Sequence, residues 1–131
     1  MTKQEIYDRV CAHLAQQKVQ SRITDEDGVG KCLYRGPNGT SCAIGCLITD
    51  EEYDPKMDIG DGTGVYGMMD FYPHIATKFG RENRLFLDAL QQAHDDCYKP
   101  EDIKATLMVI AEINELQAGA EQAITQWGKP E

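Results

Sequence analysis

Apolar residues recur at intervals of three and four near the start of the chain, where Ile6, Tyr7, Val10, Cys11 and Leu14 share one side of a helical projection. The stripe predicts an amphipathic helix over residues 3–18. Thr2 and Glu5 stand in the S/T-x-x-E arrangement, in which each side chain takes the other residue's backbone N–H, so the helix start is marked as well. The polar, Gly-containing run Ser21–Gly30 predicts a loop. The pattern then changes. Lys31–Arg35 and Thr40–Ile48 are β-compatible runs on either side of Gly36-Pro37-Asn38-Gly39, where Pro presets a turn and Asn-Gly tolerates positive φ. Together they predict a β-hairpin over residues 31–46. The run SCAIGCLI suits a strand to about residue 44, and its small residues equally suit a closely packed helix.

Thr49 and Glu52 repeat the capping arrangement, and Pro55 restricts any helix begun there to a single turn. Residues 50–64 read as an acidic, Gly-rich loop. Val65–Tyr72 predicts a short helix stopped before Pro73, and His74–Phe79 another turn ended by Gly80. Helical spacing returns over residues 81–98, with Leu85, Leu87 or Asp88, Leu90, Ala93, His94 and Cys97 as the stripe, and over residues 100–116, with Ile103, Leu107, Ile110, Ala111 and Asn114 facing inward. Pro100, Glu101 and Asp102 suit the first turn of that last helix. Residues 118–131 read as a mobile tail with room for one short helix around Ile124 and Trp127. A length of 131 residues bounds the chain to one domain. The fold class expected is α+β: a predominantly helical single domain with a small β-hairpin packed on three longer helices.

Charge changes the picture of what this surface can meet. The formal net charge is -9, and it is unevenly spread: residues 1–49 hold five acids and six bases, and the remainder seventeen acids and seven bases. Direct binding of DNA or RNA calls for clustered Lys and Arg, and a grouping such as Lys31 with Arg35 is too sparse for that. The acids instead suit a basic protein partner, including a nucleic-acid-binding protein whose site they cover. Asp50, Glu51, Asp54, Asp58 and Asp61, beside the soft apolar Met68 and Met69, are the candidate partner-binding residues. No stretch reaches the ~18 consecutive apolar residues of a membrane helix, and the charged N-terminus does not read as a signal peptide. A cytoplasmic location without membrane contact is expected.

The candidate chemistry is sparse. Five cysteines form an odd set without a C-x2-C knuckle; free thiols are expected, with Cys42 and Cys46 close enough to share a metal only on a helix. His94-Asp95 near a helix end invites a metal-dependent hydrolase or metal-binding reading, for which His74, Asp102 and His13 are the remaining candidates. No ordered set of base, nucleophile and oxyanion donors can be placed. Gly62-Thr63-Gly64-Val65-Tyr66-Gly67 matches G-x-G-x-x-G without the strand that gives the motif meaning. The residues therefore call for no catalytic assignment, no metal and no cofactor, and they favour a non-enzyme.

Cys32-Leu33-Tyr34-Arg35-Gly36-Pro37-Asn38-Gly39, then Cys42-Ala43-Ile44-Gly45-Cys46-Leu47-Ile48, Asp54-Pro55 and Leu90-Gln91-Gln92-Ala93-His94-Asp95 resemble a pattern of small uncharacterised proteins of bacteria and their phages. That pattern is C-x-Y-R-G-P-x-G-x-x-C-A-x-G-x-L-I followed by L-Q-x-x-H-D. The resemblance spans about residues 1–116 and implies that the hairpin and His94-Asp95 form one unit, with Tyr34 or Arg35 reaching His94-Asp95. It implies no activity. The function expected is that of a small acidic phage-type accessory protein that binds and inhibits a host or defence macromolecule, in an anti-defence or anti-CRISPR-like role or as a nucleic-acid mimic. The alternatives are a metal module at His94 and Asp95, and a small-ligand or nucleotide sequestering protein with residues 58–67 as a lid.

Overall fold

The Thr2 hydroxyl accepts the Glu5 N–H at 3.1 Å while the Glu5 carboxylate accepts the Thr2 N–H, which satisfies donors that a helix start leaves unpaired. Helix α1, Lys3–Gln17, buries Ile6, Tyr7, Val10, Cys11 and Leu14, the five residues of the predicted stripe. It stops at Lys18, whose φ of 70° is left-handed and whose N–H returns to the Leu14 carbonyl. These features belong to a computed structural model that describes residues 1–59 and 64–130.

The hairpin lies earlier than its sequence signal placed it. Strands β1, Arg22–Thr24, and β2, Gly30–Cys32, pair antiparallel with Ile23 opposite Lys31, in a segment expected to be loop. Asp25 organises the turn: its carboxylate accepts the N–H groups of Asp27 and Val29 at 2.9 and 2.8 Å, and Gly28 takes φ 79°. The hairpin expected over 31–46 is corrected accordingly. Its turn exists, with Asn38 and Gly39 at φ 59° and 73° and the Gly36 N–H donating to Thr40, yet the flanks share only the isolated bridge Arg35–Ser41. Residues 42–48 are neither strand nor α-helix; Gly45–Leu47 forms a 3-10 turn. The reason is a close crossing, since a Cβ on Gly45 would lie 2.1 Å from the Tyr34 carbonyl oxygen. Two backbones packed this tightly leave no space for a side chain between them.

Asp54 caps a 3-10 turn, Pro55–Asp58, through the Lys56 N–H. Helices α2, Val65–Phe71, and α3, Pro73–Phe79, meet at a break set by Pro73, and Gly80 at φ 83° leads through a 3-10 turn into α4, Arg84–Asp96. The helix expected over 81–98 is therefore shorter, and most of its expected stripe holds: Leu87, Leu90, Ala93 and His94 are buried, with Phe86 in place of Leu85, which is 77% exposed. Helix α5, Pro100–Ile113, ends in a Schellman closure in which Glu115 at φ 57° sends its N–H to Glu112 and the Leu116 N–H returns to Ala111 at 2.8 Å.

Helix α1 packs on α4 and on the C-terminal 3-10 turn Ala120–Ala123, α2 packs on α3 and α4, and α4 packs on α5. The C-terminal segment is docked and does not hang free. Ile124 and Trp127 join the core, and the Trp127 indole N–H donates to the Cys97 carbonyl at 2.9 Å. The architecture is the expected α+β domain, mostly helical with one small antiparallel sheet. Among the described residues no helix is long and apolar enough to cross a membrane.

Candidate functional site

His94, on the last turn of α4, is fully buried. The Ser21 backbone N–H points at its Nε2 at 3.0 Å, so Nε2 accepts and the ring proton sits on Nδ1. That proton is donated to Asp95 Oδ1 at 2.6 Å. The same carboxylate oxygen accepts the Gln91 amide at 2.9 Å, and Gln91 in turn accepts the Ile44 N–H at 3.2 Å. The Cys32 thiol also faces Asp95, and a ligand atom from each of Cys32, His94 and Asp95 lies within 4.8 Å of the others. Burial first, and then the Asp95 charge, push the Cys32 thiol up to about 12, far from an activated nucleophile.

The end of α4 is closed from the same side. Its last carbonyls, which a helix leaves without partners, are met by the Gln20 amide, which donates to His94 and Asp95 at 2.9 Å each, while the indole of Trp127 stands edge-on to the His94 ring at 5.5 Å. Ser21 adds a hydroxyl bond to Leu33 at 2.8 Å. The cluster is thus a clamp that ties the base of the hairpin and the 42–48 turn to α4. A general base needs a free lone pair facing substrate, and here both ring nitrogens are committed. A metal on Nδ1 would require moving the proton to Nε2, where it would meet the Ser21 N–H head on. The segment in which the sequence placed its hairpin does meet the end of α4, through Cys32 beside Asp95 and the Ile44 N–H on Gln91; the buried Tyr34 hydroxyl feels the Asp95 charge, while the Arg35 guanidinium turns elsewhere.

Arg35 belongs to the acidic segment. It donates to Asp50 at 2.5 Å and to the Ile48 carbonyl at 2.6 Å, and lies 5.1 Å above the Tyr53 ring. Asp58 accepts the backbone N–H groups of Tyr34 and Arg35 at 2.8 and 3.1 Å and the Tyr53 hydroxyl at 2.6 Å. Glu52 receives the Lys78 ammonium at 2.6 Å and the Thr49 N–H at 2.9 Å. Asp54 is the cap already described. Of the residues proposed from sequence as partner-binding, Asp50 and Glu51 are exposed, Asp54 and Asp58 are engaged inside the molecule, and Met68 and Met69 are fully buried core residues. That last pair is a correction: the Met-rich stretch faces the core because α2 packs that side on its neighbours. Asp61, Gly62 and Thr63 lie outside the described residues, whereas the rest of the glycine string runs from Gly64 into the first turn of α2.

Cys42 is fully buried, its sulfur accepting the Gly45 N–H at 3.2 Å, and Cys46 donates to the Ala43 carbonyl at 3.0 Å. Burial raises Cys42 well above the ordinary thiol value and Cys46 to about 12. His74 and His13 bond to the Glu52 and Ser41 carbonyls, so neither completes a site with His94. The residues that sequence reasoning missed are Ser21 and Gln20, whose partners on α4 lie far along the chain, Tyr53, whose hydroxyl reaches Asp58 and whose ring lies under Arg35, and the exposed acids of α4 and α5, which were counted only as charge. No protein family, curated protein or solved structure matches the chain.

Proposed function

We propose that the protein works by binding and not by catalysis, as a small acidic phage-type accessory protein that occupies and inhibits a basic or nucleic-acid-binding protein of the host or of its defences. The observation that supports this reading is where the acids stand on the last two long helices. Asp96 is the final residue of α4, Glu112 lies in the last turn of α5 and Glu115 just beyond it. Carboxylates there oppose the negative end of the helix dipole, and among the described residues no cation pairs with them. Charges that local structure disfavours are candidates for a role in recognition. The resemblance to small bacterial and phage proteins supplies the biological setting.

A second reading, a metal module at Cys32, His94 and Asp95, is favoured by the convergence of three ligand types and opposed by the Ser21 N–H on Nε2. Immobilised protein incubated with bacterial lysate at low salt is expected to retain a basic protein that elutes as ionic strength rises from about 50 to about 300 mM, because exposed charge pairs are screened over that range. Failure to retain any salt-sensitive partner overturns the binding reading. Elemental analysis of protein purified without chelator separates the two, since one metal per chain with loss of the Cys32→Ser variant's metal would establish the second.

A further inference from the structure

Helix α5 is apolar on two sides. Ile103, Leu107, Ile110 and Ala111 face the core, whereas Met108, Val109 and Ile113 are 45, 52 and 74% exposed. A surface helix ordinarily turns a polar face to water, and one that is apolar all round is ordinarily covered on both sides. The uncovered face continues into a groove of about 460 Å³ between α5 and α4, whose walls include Ala89, Ala93, Ala105 and Val109. Alanines along both walls leave a shallow channel into which larger apolar side chains of another helix could descend, as ridges enter grooves between packed helices.

The rim of this groove is acidic. Asp96 lines it directly, and Glu112 lines the adjoining hollow beside Met108 and Val109. Asp102 stands one turn before Ala105 and Thr106, and Asp88 holds the Gln92 amide at 2.6 Å on the α4 side. Residues 82–116 contain eight acids against Arg84, Lys99 and Lys104, and Arg84 is stacked 4.8 Å over the Tyr66 ring. A second copy is a poor occupant. In a two-fold contact the same patch meets itself, so a rim this acidic would face its own kind.

We infer that the α4–α5 groove is a docking site for an amphipathic helix of a partner protein, one whose apolar ridge seats on Ala89, Ala105, Val109 and Ile113 and whose flanking Lys and Arg side chains meet Asp88, Asp96, Asp102 and Glu112. The inference rests on the binding reading and names its site and the chemistry of its partner. Recognition of a helix by an apolar groove with charges of opposite sign at the edges is a recurrent binding mode, and the rim charges set orientation and encounter rate.

The probe is a synthetic amphipathic helix of about 18 residues with leucines at helical spacing and lysines along both flanks, compared with its glutamate-flanked counterpart. Titrated into isotope-labelled full-length protein, the lysine peptide is expected to give saturable resonance shifts confined to residues 85–97 and 102–116. Its affinity should fall at least tenfold in the Val109→Glu variant, and also when salt is raised; the glutamate peptide should give none. Val109 is exposed, and an unchanged spectrum elsewhere confirms that Val109→Glu remains folded. Shifts elsewhere, no shifts, equal binding of the glutamate peptide, or a free protein that sediments as a dimer dissociated by Val109→Glu would each overturn the docking site. If Val109→Glu with Ile113→Glu still retains the partner captured by the unmodified chain, the groove fails while the binding reading stands. If the unmodified chain captures nothing salt-sensitive, the binding reading fails and the titration still decides the groove.

Discussion

The acids of residues 50–58 and those of helices α4 and α5 look alike in a charge count and differ in what they touch. In the first region nearly every carboxylate has a task inside the molecule: Asp50 with Arg35, Glu52 with Lys78, Asp54 with the Lys56 N–H, Asp58 with two backbone N–H groups and Tyr53. In the second, Asp95 is drawn inward, to His94 and Gln91, and the half-buried Asp88 takes the Gln92 amide of its own helix, while Asp96, Glu101, Asp102, Glu112 and Glu115 are exposed. Negative charge in the first region organises a fold; in the second it is left over for something else. Net charge therefore says little about recognition until the internal acids are subtracted.

The largest expected effect comes from removing Asp58. The change Asp58→Ala leaves the Tyr34 and Arg35 N–H groups and the Tyr53 hydroxyl without their acceptor. Hydrogen bonds to a charged group contribute about 1.5–3 kcal/mol each, with partial recovery by water at a half-buried site, so a loss of roughly 3 kcal/mol is expected. Glu112→Ala, at an exposed position without a partner, should stay within about 0.5 kcal/mol of the parent. Urea unfolding of the two variants checks the contrast, and equal midpoints would erase the distinction between the regions.

How much of this was legible beforehand varied with the range of the interactions. The first helix announced itself because its capping pair and apolar stripe are local, Thr2 with Glu5 and Ile6 through Leu14. The true hairpin did not, because Ile23 and Val29 lie largely in water; a ribbon that buries so little needs no apolar alternation. The Asn38-Gly39 turn was read correctly as a turn, yet the chain beyond it was diverted by the crossing of Gly45 over Tyr34, a contact no local pattern reports. In the clamp, Ser21 and His94 are 73 residues apart. Sequence offered His94-Asp95 as a pair and could not say that a backbone N–H already held the other nitrogen. The apolar outer face of α5 did have a signal, the unbroken run Leu107-Met108-Val109-Ile110-Ala111, which is too long for a helix with one wet side.

Acid should probe the first region more than the second. The Lys78 ammonium, and then the Thr49 N–H, hold the Glu52 carboxyl below its ordinary value. A carboxylate depressed in the folded state stabilises fully above its unfolded pKa, and that contribution disappears as pH falls through the folded value. Glu121 behaves alike: burial would raise it, but the hydrogen bonds from Tyr7, the Gly119 N–H and Gln122 outweigh burial and lower it. Unfolding free energy is therefore expected to decline as pH drops below the ordinary carboxylate value, and Glu52→Gln should make that decline shallower while lowering stability at neutral pH. An acid limb identical to the parent's would detach Glu52 from the fold.

The smallest effect runs in the opposite direction. Glu115 occupies the left-handed position that closes α5, at φ 57°, where a side chain is strained and glycine is at ease. Its carboxylate also stands at the negative end of the helix dipole. Both terms oppose a glutamate, so Glu115→Gly should raise stability by about 0.5–1 kcal/mol, read as a higher melting temperature at neutral pH, with a smaller part of the gain at high salt. Glu115→Gln, which removes charge and keeps the strained backbone, divides the two contributions. A residue whose removal strengthens the fold is one that stability did not require, and a stabilised Glu115→Gly protein would place this acid with the outward-facing set on α4 and α5. A destabilised one would return it to the inward-facing kind typified by Asp58, and the contrast between the two regions would narrow by one member.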